Sequence, residues 1–372
     1  DRVCRLPYPA RDWLAGRLQP TNTEAEERYL EALLDVCARE QIDTIFPSLD
    51  AQVYILSKNR ARLQARGIFA PVPDYETLLG SLDKYRTIQA AAAAGFPHPR
   101  TLLGEDDDAV AQFGRDVPAP WIVRPRCSAG SLGLELVTDP AQLVPCVQRA
   151  RALYGAPMVQ EYIAGTGRQN FYLLLDAQGE PVFALCPRVL RCSSRIFRNN
   201  SAAVESAADH PLLPRVLELA RRLNWRGTLT VQTKIDPRTG QPCLMEANPR
   251  LGTHLWYRTE LGLNEPLRCL QIARGEPVER GPAPPAGGGF EMLDWLLYQV
   301  RTDLLGRAPL DPASPPPSPR QLLRDFAACY RRGVPKRYSP LSSCWRDDPL
   351  VTLLWSYTIF RSWTRNLHYL GR

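Results

Sequence analysis

The sequence has little of what structural metal sites, redox centres and secreted scaffolds require. Its four histidines (His98, His210, His254 and His368) have no zinc-site spacing, and its ten cysteines, from Cys4 to Cys344, include no C-x-x-C pair. A Cys/His zinc site and a dithiol redox centre are excluded, and thiols placed singly read as the reduced cysteines of a cytoplasmic protein. Long apolar runs are also missing. The longest stretch, near residues 350–360, is far short of the ~20 residues that span a bilayer, so no transmembrane segment is expected. The opening DRVCRLPYPARDWLAG has no apolar h-region, and no signal peptide is read there. Charge is not concentrated in one sign: 46 Lys+Arg against 39 Asp+Glu leave +7, spread along the chain. That mild excess suits a phosphate-rich small ligand and gives no nucleic-acid surface. No internal repeat is visible.

What is present is enough chain, 372 residues, for two or three domains with real cores. Residues 24–41 carry Leu30, Leu33, Leu34, Cys37 and Ala38 at helical spacing. IDTIFPS (42–48) has the look of a short buried parallel strand, and a further helix is expected over 50–66. This alternation predicts a parallel α/β sheet. No strand precedes the first helix, as expected of a chain that starts inside a domain.

From Asp83 the texture changes. DKYRTIQAAAAAG (83–95) is an alanine-rich helix closed by glycine and FPHP. WIVRP (121–125) and LELV (134–137) read as strands flanking the small-residue loop CSAGSLG. MVQEYI (158–163), FYLLLD (171–176), PVFAL (181–185), TLTVQTKID (228–236) and QPCLMEANP (241–249) continue a strand-rich, antiparallel α+β body, with a helix near 211–223. GPAPPAGGG (281–289) and PASPPPSP (312–319) are linkers. In the segment 290–372, Leu350, Leu353, Leu354, Tyr357, Phe360, Leu367 and Leu370 share one helical face. Docking of that face on the body is the preferred reading, with membrane-surface binding as the alternative. The expected domains are therefore 1–82, 83–280 and 290–372.

The sharpest pattern is the hairpin TLTVQTKID–PRTG–QPCLMEANPR. Its DPRTG stretch is turn chemistry, and alternation along a strand puts Glu246 and Asn248 on one face. If Ile235 pairs with Gln241, Gln232 falls opposite Leu244 and joins that face, about 7–8 Å from Glu246 on the diagonal. One carboxylate with two amide oxygens is an all-oxygen set of the kind Mg²⁺ prefers, with positions left for phosphates. Arg250, two residues on, can reach the same face and hold a transferring phosphoryl group. The alternative is a hairpin with a polar solvent face, and the E-x-N-P-R context favours the metal.

Here the chain resembles the ATP-grasp family, in particular its carbamoyl-phosphate-synthase-like branch, from about Asp83 to Glu276. The resemblance implies an ATP-grasp fold, α/β and α+β. It would have a partial N-terminal α/β (pre-ATP-grasp) domain, two ATP-grasp subdomains with a hinge near 158–165, and a helical C-terminal extension. It implies metal ligation by Gln232, Glu246 and Asn248, and phosphate contact by Arg250. Asp83-Lys84 matches the family's opening, where the lysine meets nucleotide phosphate. WIVRPRCSAGSLG matches the strand and glycine-rich loop that close over ATP, with Arg124 on phosphate and Ser128, Gly130, Ser131 and Gly133 letting backbone N–H groups approach it. MVQEYIAG matches the adenine-binding hinge, with Glu161, Tyr162 and Ile163 at the base. One position departs from the pattern. Where the family places an acidic ribose ligand, seven residues after Glu161, this chain has Arg168, with Thr166 and Gln169 as candidate substitutes.

The resemblance implies ATP and Mg²⁺ as cofactors, with Mn²⁺ an acceptable replacement, and a carboxylate–amine ligase working through an acylphosphate. Its partners would be a small carboxylate and an amine, with homodimerisation left open. Carboxyphosphate or carbamoyl-phosphate chemistry on bicarbonate is a second reading, and a non-catalytic nucleotide-binding subunit a third. For the substrate, Arg188, Arg191, Arg195 and Arg198 are either an anion site or a solvated basic loop. His254, Tyr257 and Arg258 are candidates to line the acceptor pocket.

Overall fold

The computed structural model describes residues 4–7, 18–165, 167–192, 201–205, 209–252, 255–281, 289–291, 320 and 324. The expected helical extension of 290–372 therefore lies, but for a few residues, outside the described ones.

Helix α1 (Glu24–Glu40) starts at a capping box. Thr23 Oγ1 accepts from the Glu26 amide, and the Glu26 carboxylate accepts from the Thr23 amide at 2.8 Å. The helix expected over 50–66 forms as α2 (Asp50–Lys58) and α3 (Arg60–Gln64). Asn59 breaks it, its side-chain amide donating to the Ile55 carbonyl at 2.7 Å, the local competition that asparagine offers a helix. The run at 42–48 does not become a buried strand. It makes one parallel bridge, Thr44 to Phe69, and leaves Ile42 41% and Phe46 39% exposed. With that single bridge as its only pairing among the described residues, nothing sandwiches it as a parallel strand requires. Helix α4 (Tyr75–Leu82) was not anticipated, because YETLLGSL is short and carries a glycine; Asp74 caps it through the Thr77 amide. Helix α5 (Lys84–Ala93) follows at once, with Asp83 both ending α4 and capping α5.

The next segment builds a small antiparallel sheet from β1 (Thr101–Leu103), β2 (Trp121–Arg124), β3 (Glu135–Val137) and β4 (Met158–Glu161), in the order β1-β4-β2-β3. Helices α6 (Asp107–Asp116) and α7 (Leu143–Tyr154) close a core around Trp121, Val123, Val147 and Val159.

The larger sheet holds β5 (Arg168–Leu175), β6 (Pro181–Leu185), β7 (Arg188–Cys192), β8 (Ser201–Glu205), β9 (Gly227–Ile235), β10 (Pro242–Asn248) and β11 (Gly289–Glu291). Its order is β10-β9-β5-β7-β8-β11, with β6 beside β5, and every pairing is antiparallel, as the strand texture predicted. Helices α8 (Leu213–Arg222), α9 (Leu255–Glu260) and α10 (Glu265–Arg274) complete the described fold.

The two faces of this sheet differ. Phe171, Leu173, Leu175, Leu229 and Val231 point into a core shared with α1, α2, α4, α5 and α8. Asn170 and Tyr172 on β5, with Thr228, Thr230 and Gln232 on β9, point the other way by the period of two. There Tyr172 and Leu174 pack on Tyr257, Leu263 and Cys269 of the α9–α10 layer. The other end of that face is polar, and it is where the site lies.

One buried ion pair ties the N-terminal helices together: Lys58 Nζ sits 2.7 Å from Glu26 Oε2, both side chains 1% exposed, and 4.3 Å from the centre of the Tyr54 ring. Removing one partner leaves the other charge buried. Glu26→Gln is expected to destabilise this layer by about 3–5 kcal/mol, read as a lowered urea midpoint, whereas a change within ~1 kcal/mol would show the pair to be dispensable.

Candidate functional site

The site is built on the β9–β10 hairpin, and a local irregularity decides its geometry. The turn sets Ile235 opposite Pro242, Lys234 opposite Cys243 and Thr233 opposite Leu244. Continued unchanged, that register would bring Glu246 opposite Val231, on the apolar face. A β-bulge at Met245 inserts one residue, so Glu246 lies opposite Gln232 and Asn248 opposite Thr230. The register read from the sequence, with Gln232 across from Leu244, is thereby corrected: Gln232 faces Glu246 directly. The turn pairing was misplaced by one residue, and alternation alone carries no sign of a bulge.

The bulge also frees a backbone group. Arg124, at the end of β2, donates from Nη2 to the Met245 carbonyl at 2.9 Å, linking the small sheet to the hairpin. The Leu244 amide donates to the Pro97 carbonyl at 2.8 Å, fixing the strand to the segment after α5.

Around Glu246 the chain gathers cations from distant segments. Lys84, first residue of α5, is buried, and its Nζ donates to the Ser128 carbonyl at 2.6 Å. Arg250 is half-buried and donates from Nε to Asp50 Oδ1 at 2.9 Å, at the start of α2. Asn248 Nδ2 donates to Glu246 Oε1 at 3.3 Å. Burial by itself would raise the Glu246 pKa. Lys84, then Arg124, the Asn248 amide and Arg250 outweigh it and hold the carboxyl below its usual range. The same burial pulls Lys84 down, with Glu246 acting against it. It pulls Arg124 down to about 10, which leaves the guanidinium charged at neutral pH. Among the described residues two carboxylates therefore stand among three cations: Glu246, which all three face, and Asp50, which pairs with Arg250 and also acts on Lys84. The result is a pocket with a positive excess.

The loop after β2 lies over this cluster. The Lys84 amide donates to the Arg126 carbonyl, and Arg126 pairs with Asp83, so the loop entry is held to the start of α5. Gly130, Ser131 and Gly133 all have positive φ, and a Cβ at Gly133 would fall 2.8–3.0 Å from Pro125 and Tyr154. Ser128, Ala129 and Gly130 line a cavity of about 50 Å³ with Lys84, Glu246, Asn248, Arg250 and Asp50. Ser131 and Gly133 are not among its lining residues.

The segment expected to act as hinge, near 158–165, begins with β4 itself and runs on past it. The Glu161 amide donates to the Arg100 carbonyl at 2.9 Å, and its carboxylate accepts from the Arg100 amide and pairs with Arg238 of the hairpin turn. With that amide engaged, the Glu161 carbonyl is the group left to consider for a ligand. The Tyr162 amide donates to the Pro120 carbonyl at 3.3 Å, Ile163 is buried, and Lys234 Nζ lies 4.6 Å from the Tyr162 ring centre.

Of the candidates for the ribose contact, Gln169 is turned inward, its amide donating to the Cys186 and Pro187 carbonyls, so it cannot serve. Arg168 stands beside Lys234 on β9, and the two place positive charge on the row next to Asn170 and Gln232. Thr166, His254, Arg195, Arg198 and the side chain of Arg191 lie outside the described residues, while Arg188 is on β7.

Two residues at the site were missed in the sequence. Asp50 meets Arg250 across 200 positions, and no local pattern announces such a pair. Asn170 is buried next to Gln232, and its signal was visible: a polar side chain at the head of the apolar run FYLLL. Among the described residues no group of three His, Cys, Asp or Glu side chains is placed to hold a metal. A cation here would depend on Glu246, amide oxygens and oxygens brought by a ligand. The described cysteine side chains are unpaired, and Cys127, in the loop, is pushed up to about 12 by burial, so it is a thiol and not a nucleophile.

Comparison with known proteins identifies the family and the fold. The profile of the family described as carbamoyl-phosphate synthase L chain, ATP binding domain, matches residues 83–278. The carbamoyl phosphate synthase large chain of Thermomicrobium roseum is 23% identical over 288 residues, 73% of this chain and 27% of that one. A D-alanine–D-alanine ligase from Laribacter hongkongensis is 26% identical over 211 residues, 53% of this chain and 67% of that one. Among solved structures, biotin carboxylase from Campylobacter jejuni in a β-γ-ATP complex superposes with a TM-score of 0.61 at 17% identity, covering 72% of this chain and 63% of that one. The biotin carboxylase domain of Hydrogenobacter thermophilus 2-oxoglutarate carboxylase, in complex with MgADP, ADP and bicarbonate, follows at 0.58 and 17%, covering 72% and 62%. These two share the fold. This chain spans about a quarter of the length of the carbamoyl phosphate synthase it matches. With more than half of its residues inside the matched profile, the chain belongs to the carbamoyl-phosphate synthase L chain ATP-binding domain family and has the ATP-grasp fold.

Proposed function

We propose that this chain binds ATP with Mg²⁺ and transfers its γ-phosphoryl group to a carboxylate, forming an acylphosphate that an amine then captures. The observation that carries this reading is the single carboxylate, Glu246, sharing one strand face with Gln232 and Asn248 and surrounded by Lys84, Arg124 and Arg250. An all-oxygen donor set with only one negative charge fits Mg²⁺ when phosphate oxygens complete it. Bound there, Mg²⁺ would offset charge on the nucleotide phosphates.

The chain's own residues do the positioning. Lys84, buried, and Arg124, half-buried at the end of β2, supply positive charge, and Arg250, steadied by Asp50, adds a third cation at the cavity edge. Ser128, Ala129 and Gly130 line the cavity beside these cations, where opening of the loop would admit a triphosphate and closing would cover it. In the transfer, a carboxylate oxygen bonds to the γ-phosphorus while the bond to the bridging oxygen breaks, and ADP leaves with that electron pair. The amine then attacks the acyl carbon, phosphate leaves, and the amine's proton passes to phosphate or solvent. No protein nucleophile is required, in keeping with the protonated Cys127.

Bicarbonate is a second acceptor to weigh, favoured by the matched carbamoyl-phosphate synthase profile. ADP release from MgATP, measured across amino acids, dicarboxylates and bicarbonate, separates the readings. One stimulating carboxylate, with release lowered about 10²-fold or more in Glu246→Ala, is the expected result. Nucleotide binding without release on any acceptor would favour a non-catalytic role.

The state of Lys84 gives a further expectation. Its pKa is lowered in the free protein, and bound phosphate favours the ammonium form, raising it. Nucleotide affinity should therefore be flat below the lowered pKa and fall as pH rises through it. Lys84→Arg, charged throughout, should flatten that alkaline limb in a calorimetric pH series, and an unchanged limb would remove Lys84 from the phosphate site.

A further inference from the structure

A second buried guanidinium lies on the same sheet face and is unused by the proposal above. Arg258, on α9, is 0% exposed. Its Nε pairs with Glu265 on α10, which accepts in turn from Thr228 Oγ1, and its Cζ lies 4.5 Å from the Tyr172 ring centre. That accounts for one edge of the guanidinium. Nη1 and Nη2 have no hydrogen-bond partner among the described residues, although both are shielded from solvent. A buried, charged donor pair left open is uncommon in a finished core.

The open edge has a definite address. A Cβ built on Gly252 would lie 3.7 Å from both Nη1 and Nη2 and 3.8 Å from Thr230 Oγ1. With glycine at 252 no side chain of that residue stands against the fork, and a hydroxyl lies beside it. Thr230 is opposite Asn248 and two residues from Gln232, so this space adjoins the Gln232–Glu246–Asn248 set by one cross-strand pair. Two parallel N–H donors on a fixed plane match the two oxygens of a carboxylate. Lys84, Arg124 and the loop already provide for phosphate nearer Glu246.

We infer that Arg258 is the acceptor clamp: its Nη1–Nη2 edge, in front of Gly252 and beside Thr230, holds the substrate carboxylate next to the phosphoryl donor. This rests on the phosphoryl-transfer reading and assigns its acceptor a site. Glu265 and Tyr172 hold the guanidinium plane, and the carboxylate displaces no hydrogen bond among the described residues.

The test is saturable binding of acetate, succinate, glycine and bicarbonate to the full chain, by calorimetry and thermal midpoint, with chloride matching ionic strength. Each titration is run with and without MgADP. At least one carboxylate is expected to saturate the wild type, and its half-saturation to rise about tenfold or more in Arg258→Lys, which keeps the charge and loses the fork. Gly252→Ala is the companion variant. Its φ is not left-handed and its Cβ meets only ordinary contacts, so the fold is retained while the space at the fork is filled. The same tenfold weakening is expected there, and it decides the matter should Arg258→Lys not fold. Equal binding by wild type and Gly252→Ala, or no saturable carboxylate in the wild type, overturns the clamp. MgADP binding to the wild type reports separately on the broader reading: MgADP bound with no carboxylate dependence on Gly252 refutes the clamp alone.

Discussion

The site depends on one extra residue in a strand. Strand side chains alternate, so a one-residue change of register sends every following side chain to the opposite face. In β10 the bulge at Met245 makes that change between Leu244 and Glu246. Leu244 and Ala247 stay in the apolar core, while Glu246 and Asn248 emerge on the polar face with Gln232, Thr230 and Asn170. The carbonyl exposed by the bulge is then bound by Arg124 from the other sheet. A single backbone irregularity thus aims Glu246 and Asn248 at the polar face and couples the two sheets.

Charge completes what the backbone begins. Lys84, Arg124 and Arg250 come from a helix start, a strand end and the residue after the hairpin, and they meet at one carboxylate. Three cations against two carboxylates, Glu246 and Asp50, leave a positive excess that a bound anion would offset. A polyphosphate supplies that charge, and a substrate carboxylate at Arg258 would supply more along the same face.

Much of this was legible in the sequence, and what was not has a physical cause. The helix over 24–40, the antiparallel body and the β9–β10 hairpin follow from periodicity and turn chemistry, because those signals are local. The E-x-N-P-R stretch singles out Glu246, Asn248 and Arg250, which the fold brings to one cavity. The strand read at 42–48 failed because burial of an apolar run needs neighbours, which only tertiary structure supplies. The bulge was invisible because two pairing registers of equal parity place Gln232 on the same face as Glu246. Asp50 and the open edge of Arg258 were out of reach for a different reason. Each is defined by a partner, or the lack of one, far away in the chain.

The central claim is that Glu246 anchors a cation shared with a bound nucleotide. Calorimetric titration of ADP into the full chain, with and without Mg²⁺, in wild type and Glu246→Gln, tests it most directly. The account predicts that Mg²⁺ tightens ADP binding about tenfold or more in the wild type and has little effect in Glu246→Gln. Equal Mg²⁺ dependence in the two proteins would contradict it.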